Sequence, residues 1–170
     1  MSPQMSVDSL KDNLTNPART YLFEVFIPNP GGGNTETLAL RCQAASIPER
    51  SFGTAIHVDY KQTAGIQFPG KDTNPHTWDL TFMEGEDREV MKAFDTWCNK
   101  IVNNRTGIGA LGYKTNVYLH LLNTDGSVAM KIKLVGAFPL TKGTVALDWT
   151  TEEKILIPVT LSYDRWEIES

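Results

Sequence analysis

The C-terminal third of the chain, residues 134–167, constrains the fold most, because two runs of alternating apolar and polar residues flank a connection rich in Gly, Pro and Thr. Such alternation is typical of a β-strand that buries one face. In the second run the apolar positions are Ile155, Ile157, Val159, Leu161 and Tyr163. Strands are predicted, in chain order, at 20–27, 36–43, 52–60, 76–83, 116–122, 128–134, 144–149 and 154–164. The chain is therefore predicted to be mainly β, with about eight strands.

One segment repeats its apolar residues with a helical period instead. Between residues 86 and 102 they recur at spacings of three and four, as on one face of an α-helix. Acidic residues begin the segment and Lys100 lies near its end, as the helix dipole favours. We expect this helix to pack on a β-sandwich or partly open barrel, anchored by Phe94 and Trp97. Trp149 is likewise predicted to be a structural core residue, because tryptophans on alternating apolar faces are usually buried.

The polar N-terminal segment and the segments rich in proline and glycine predict an arm followed by one domain. Residues 1–19 are polar and lack a period, so they are expected to form an N-terminal arm, and 20–170 a single β domain. The strand predicted at 20–27 is apolar on both faces, which suits a place between a core and an interface. A loop rich in Pro and Gly is expected at 28–34. Residues 61–75 are predicted to be a long connection without structure of its own.

The charge and hydropathy of the sequence argue against classes of protein that bind nucleic acid tightly or insert into membranes. Sixteen Lys and Arg stand against twenty Asp and Glu, a net charge of -4, which argues against tight non-specific binding of nucleic acid. It does not argue against a surface that nucleic acid slides past. No run reaches the roughly 20 apolar residues of a membrane span, and no export signal is recognised, so no membrane insertion is expected. Cys42 and Cys98 are expected to be buried free thiols, which suits synthesis in a reducing cytoplasm.

No catalytic constellation is recognised in the sequence. The three histidines, His57, His76 and His120, have no metal-ligand spacing among themselves or to the cysteines. The glycine run lacks the Lys-Ser/Thr of a phosphate loop, and no serine lies in a nucleophile elbow. Asp148 beside a tryptophan could be an acid with a raised pKa, although a turn-forming role is the more common one. The chain is expected not to be an enzyme and to need no cofactor.

An ordered set of short motifs, spread over nearly the whole chain, resembles the tail tube proteins of contractile-tailed bacteriophages. Each motif alone is weak, and their order makes the set specific. The matching segments are Arg19-Thr20-Tyr21-Leu22-Phe23-Glu24-Val25, Cys42-Gln43-Ala44-Ala45-Ser46-Ile47-Pro48, Trp78-Asp79-Leu80-Thr81-Phe82-Met83, Phe94-Asp95-Thr96-Trp97, Gly136-Ala137-Phe138-Pro139, Leu147-Asp148-Trp149 and Tyr163-Asp164-Arg165-Trp166-Glu167.

The resemblance implies a structural virion protein. Members of that family form hexameric rings in which strands of six subunits join into a ring-shaped β-barrel, and the rings stack into a hollow tube. Its implied partners are further copies of itself, the tail sheath protein, the baseplate and tail terminator proteins, and the tape measure protein and phage DNA in the lumen. The implied location is the virion tail, after synthesis in the cytoplasm of the host bacterium.

Two further points follow from the sequence. The segment 61–75 is a candidate element for stacking between rings, with Ile66, Phe68, Lys71 and Asp72 at the interface, although a merely long, solvated loop would have the same composition.

Other functions also stay open: the tube protein or baseplate tube initiator of a related contractile injection system, or a small ligand-binding β-sandwich. In a binding module, the stacking platforms would be Trp78, Trp149 or Trp166.

Overall fold

The computed structural model describes residues 7–28, 35–61 and 63–169. Among these residues, three helices are formed: α1 (Val7–Asn13), α2 (Thr35–Arg41) and α3 (Glu89–Ile101). The nine strands are β1 (Phe23–Phe26), β2 (Cys42–Ala45), β3 (Ile56–Tyr60), β4 (Thr63–Phe68), β5 (Thr77–Met83), β6 (Thr115–Leu122), β7 (Val128–Lys142), β8 (Leu156–Ser162) and β9 (Arg165–Glu169).

Seven strands form one antiparallel sheet in the order β1-β6-β7-β8-β5-β2, with β9 also paired to β7. The long strand β7 belongs to both halves of this sheet. It pairs with β9 through 131–135 and with β8 through 138–142, so β8 and β9 follow one another along it. Strands β3 and β4 pair only with each other, as a separate two-stranded hairpin. The sheet therefore has two halves that share β7.

A bend in β7 separates the two halves of the sheet. Gly136 adopts φ 68, a conformation that favours glycine, and a Cβ there would collide with the carboxylate of Asp164. Beside it, the amide of Asp164 donates to the carbonyl of Val135 at 3.0 Å, at the break between β8 and β9. The pairing of β7 with β8 then shifts register between Pro139 and Thr141. Bulges of this kind bend strands, so β7 can serve both halves.

The core is one cluster of buried apolar side chains drawn from both halves of the sheet and from α3. On α3, Phe94 lies 5.1 Å from the Phe82 ring, centroid to centroid, and stacks on Trp97. Both α3 aromatics are buried, and the Trp97 indole donates to the Tyr113 carbonyl at 2.7 Å. The prediction of a mainly β fold with a helix packed against it is confirmed.

Three local predictions are wrong. Residues 36–43 were expected to be a strand, but Thr35–Arg41 is helical, because its Glu, Leu and Ala favour a helix and only Leu38 is buried. The short β2 that follows pairs with β5 rather than β1. The segment 61–75 has structure of its own, since Thr63–Phe68 forms β4. No strand forms at 144–149, which belongs to the connection after β7.

The assignment of Trp149 to the core is also wrong, because its side chain is fully exposed. It lies on the connection between β7 and β8, next to Asp148, whose carboxylate accepts hydrogen bonds from the amide and the hydroxyl of Thr150 at 2.9 and 2.8 Å. This local turn replaces the strand that would have carried Trp149 inward. Of the loop expected at 28–34, residues 29–34 lie outside the described residues.

Candidate assembly surface

The β3–β4 hairpin, which we call the hairpin arm (residues 56–61 and 63–68), presents a group of exposed apolar side chains. Ile56 lies opposite Phe68 and Val58 opposite Ile66, and directly opposed residues share one face of a sheet. All four side chains are half or more exposed. Fully burying such a side chain contributes about 1.5–3 kcal/mol, so covering the exposed half of all four would contribute roughly 3–6 kcal/mol. The face is suited to packing against another surface.

The opposite face of the hairpin arm is polar and internally bonded. Gln67 donates to the ring of His57, whose other nitrogen is 2.5 Å from the carboxylate of Asp59. Gly65 makes room for this arrangement, because a Cβ there would collide with the Val58 carbonyl and the His57 ring. The hairpin arm is thus amphipathic, and its two faces are suited to different surroundings.

The base of the hairpin arm joins it to the main sheet. The amide of Gly53 donates to the Lys71 carbonyl at 2.7 Å, and Phe52 bridges to Asp72. The Asp72 carboxylate also accepts from the amide of Asn74 at 2.9 Å, three residues before β5. Of the four interface residues expected from the sequence, the structure brings Ile66 and Phe68 together on the apolar face. It places Lys71 and Asp72 at the base.

A second surface is the outer face of β1, β6, β7 and β9, where charged side chains lie in cross-strand rows. One row runs Glu24, His120, Lys131, Glu169 across the four strands, and the neighbouring row includes Lys133 and Glu167. The Lys133 ammonium is 3.8 Å from the Glu167 carboxylate and 3.6 Å from that of Glu169. Exposed pairs of this kind contribute little to stability. Their effect is to place opposite charges side by side across the face.

Strand β9 borders this face, and among the described residues it pairs with β7 alone. Its other edge therefore presents backbone N–H and C=O groups to whatever lies beside it. Natural sheets rarely leave such an edge without a means of blocking or pairing it. Arg165, Glu167 and Glu169 are exposed along β9, while Trp166 is partly buried against the core.

Sequence reasoning missed a buried carboxylate that joins α2 to α3. Glu84 accepts hydrogen bonds from the amides of Val90 and Met91 in the first turn of α3, at 3.3 and 2.8 Å. Its side chain is fully buried and lies 3.5 Å from the Arg41 guanidinium, which also forms two hydrogen bonds to Asp87. The hydrogen bond from Arg41 lowers the pKa of Asp87 to about 2. No sequence signal links Arg41 to partners more than forty residues away.

The cysteines and Asp148, which the sequence analysis singled out, have shifted pKa values with local causes. Burial raises the pKa of the Cys42 thiol to about 12 and also raises that of Cys98, so both stay protonated at neutral pH. Hydrogen bonds from the amide and hydroxyl of Thr150 lower the pKa of Asp148, the opposite of what a general acid needs. Within 7–28, 35–61 and 63–169, no group of three or more metal-ligating side chains comes together. None of the helices there is long and apolar enough to cross a membrane.

An amphipathic hairpin, an open strand edge and a sheet face with opposed charges are surfaces suited to contacts with other chains. Residues 13–169 match the family model described as phage tail tube protein. The chain therefore belongs to the phage tail tube protein family, and the family recognised from its motifs is confirmed. It is a structural protein of the tail tube class.

Individual relatives agree with this membership. The tail tube protein gp19 of Enterobacteria phage T4 is 27% identical to the chain over 155 residues, which cover 88% of this chain and 91% of that protein. The tube terminating cap of the anti-feeding prophage has the same fold, with a TM-score of 0.68 at 19% identity, covering 98% of this chain and 99% of that one. A chain of the sheath–tube complex of the PVC extracellular contractile injection system, in its extended state, gives 0.65 at 18% identity over 98% and 99%.

Proposed function

We propose that six copies of the chain form a ring, and that the rings stack into the inner tube of a contractile phage tail, through which DNA passes into the host. The observation that carries this proposal is the open edge of β9. Pairing that edge with a strand of a neighbouring copy continues the sheet from one subunit to the next. A head-to-tail contact of this kind closes into a ring when its rotation allows, and closure leaves no β9 edge unpaired.

Stacking of the rings is assigned to the hairpin arm. Its apolar face, with Ile66 and Phe68, would dock on the adjacent ring, while Lys71 and Asp72 at the base would lie beside the contact. The roughly 3–6 kcal/mol available from covering the four apolar side chains is enough to favour stacking, and repetition along the tube multiplies it. A solvated arm would instead leave those side chains in water with no compensating contact.

The lumen is assigned to the outer face of β1, β6, β7 and β9. A surface that neutralises several phosphates binds DNA tightly and releases counterions. Here Lys133 lies 3.8 and 3.6 Å from the carboxylates of Glu167 and Glu169, and Lys131 is paired in register with Glu169, so acidic groups offset the lysines of the face. DNA and the tape measure protein could therefore move along such a wall without being held.

The remaining partners follow from this geometry. The tail sheath protein would surround the tube, and the baseplate and tail terminator proteins would contact its two ends. We propose that the chain is made in the cytoplasm of the host bacterium, acts in the virion tail and catalyses no reaction.

The second candidate function is that of a tube protein or tube initiator of a related contractile injection system, which the fold shared with such machines favours. The third candidate is a small ligand-binding β-sandwich with Trp78, Trp149 or Trp166 as stacking platforms, and of these Trp78 is unsuitable because it lies in the core.

The test of this proposal is the size of the purified chain as its concentration rises, followed by sedimentation and negative-stain electron microscopy. We expect six-fold rings with an open lumen and stacks of them at high concentration. The double variant Ile66→Ser/Phe68→Ser should form rings that do not stack, because it removes two of the four apolar side chains from the docking face.

The matched control is Gln67→Ser, which changes the opposite, polar face of the same strand. It should stack like the wild type. A wild-type chain that stays monomeric at every concentration would overturn the proposed function. Tubes of normal length from the double variant would move the stacking contact away from the hairpin arm.

A further inference from the structure

The connection between β7 and β8, residues 143–155, exposes two large apolar side chains, Leu147 and Trp149. The residue between them, Asp148, bonds the amide and hydroxyl of Thr150 and holds the backbone in a turn. The last residue of the connection is also fixed, because the Ile155 carbonyl accepts from the amide of Glu84 at 2.9 Å. A tryptophan presented on an ordered backbone turn is the kind of side chain that dominates binding at protein interfaces.

This connection and the hairpin arm lie at opposite ends of the same pair of strands. The connection leads into Leu156, which is paired with Met83 at one end of the β5–β8 pair. The base of the hairpin arm leads into Thr77, which is paired with Ser162 at the other end. The two surfaces therefore lie on opposite sides of the subunit, at the two ends of the β5–β8 pair. If they fit each other, copies of the subunit can join head to tail in a contact that repeats without closing. Such a contact is what the stacking of identical rings requires.

The two surfaces are also complementary in chemistry. The connection carries an exposed tryptophan and leucine together with the carboxylates of Asp148, Glu152 and Glu153 and one cation, Lys154, which bonds Gln43. The hairpin arm offers an apolar face of four side chains. Lys61 and Lys71 lie in the arm and near its base, where the carboxylates of Asp59 and Asp72 are already bonded, to His57 and to the amide of Asn74. An apolar centre with opposite charges around it is the usual arrangement of a specific interface.

We propose that Trp149 of one copy packs against the apolar face of the hairpin arm of a second copy in the adjacent ring, with Leu147 beside it. The acidic residues that follow Trp149 then face the lysines of that arm. This inference rests on the proposed function and names the surface that receives the hairpin arm. It also gives a reason for the full exposure of Trp149, which nothing within a single subunit explains.

The first test measures the lowest protein concentration at which tubes grow, by light scattering and electron microscopy. Loss of a central interface tryptophan costs 2 kcal/mol or more per contact, so Trp149→Ala should raise that concentration at least about 30-fold. Rings should still form, because the ring contact lies elsewhere. The matched control is Leu111→Ala, which truncates another fully exposed side chain, on the connection after α3, and should leave tube growth unchanged. The inference is overturned if Trp149→Ala forms tubes at the same concentration as the wild type. It is also overturned if Leu111→Ala raises the concentration needed for tube growth as much as Trp149→Ala does.

The second test identifies what Trp149 touches. A benzophenone amino acid placed at position 149 is irradiated in assembled tubes, and the cross-linked peptides are identified by mass spectrometry. Cross-links to residues 56–68 of another copy are expected. Cross-links only to other segments overturn the inference while leaving the proposed function intact. A wild-type chain that forms neither rings nor tubes overturns the proposed function, and the inference with it.

Discussion

Removing the Glu84 carboxylate should destabilise the fold, because this carboxylate caps the N-terminus of α3 although Glu84 lies outside the helix. The residue at the N-cap position, Arg88, makes no side-chain capping bond and has a positive φ of 58. The amides of Val90 and Met91 therefore depend on Glu84, as does that of Gly85, which donates to it at 3.0 Å. The side chain is fully buried, so water cannot take its place without rearrangement.

The magnitude follows from what each substitution leaves behind. Glu84→Ala loses a cap, worth about 1 kcal/mol, and leaves a buried amide without an acceptor, which costs about 1–3 kcal/mol. The free energy of unfolding should fall by about 2–4 kcal/mol. Glu84→Gln keeps one acceptor oxygen but loses the charge at the positive end of the helix dipole, and should cost about 1–2 kcal/mol. Both variants leave the pair between Arg41 and Asp87 in place.

Urea unfolding followed by circular dichroism measures these differences, at a protein concentration where sedimentation shows only monomers. Assembly must be avoided because it stabilises the folded chain by mass action. The matched control is Glu86→Ala, which removes an exposed carboxylate from the same turn and should change the free energy by less than about 0.5 kcal/mol. If Glu84→Ala unfolds at the same urea concentration as the control, the capping argument is refuted.

Two further predictions concern the same helix. Trp97→Ala should lower the free energy of unfolding by about 3–5 kcal/mol, because it empties a core site and frees the Tyr113 carbonyl, and an unchanged melting temperature would count against it. The bond from Arg41 lowers the pKa of Asp87 from its usual value near 3.9 to about 2. Stabilisation by this pair should thus be complete above about pH 4 and lost as the pH falls towards 2. The difference in urea midpoint between wild type and Asp87→Asn should shrink over that range, and a constant difference would contradict the assignment.

The elements that were predicted best from the sequence are those in which the spacing of apolar residues within one segment shows which face is buried. In α3 the apolar stripe at helical spacing leaves one arrangement that buries Phe94 and Trp97 together. In β8 the alternation from Ile157 to Tyr163 likewise leaves one face for the core. Such periods are local properties of the chain, so no knowledge of distant residues is needed to interpret them.

The misassigned segments are those whose local pattern is compatible with more than one structure. Residues 35–41 contain apolar residues that suit a strand, but they lie where little surface is covered, so helix propensity prevails. Residues 63–68 form a strand only because 56–60 lie opposite them. Trp149 reads as a core residue, yet β7 ends at Lys142 and leaves it on a surface turn.

The sequence by itself determined that the chain is mainly β, that one helix packs on the sheet, and that the family is that of phage tail tube proteins, since these depend on period and on ordered motifs. Only the tertiary structure decided which surfaces remain for assembly. The contact of Arg41 with Glu84 and the exposure of Trp149 depend on residues far apart in the chain, and the exposure of Ile66 and Val58 depends on what the rest of the fold places beside the hairpin arm. Whether a side chain is covered depends on what the rest of the fold places beside it, and no local pattern contains that information.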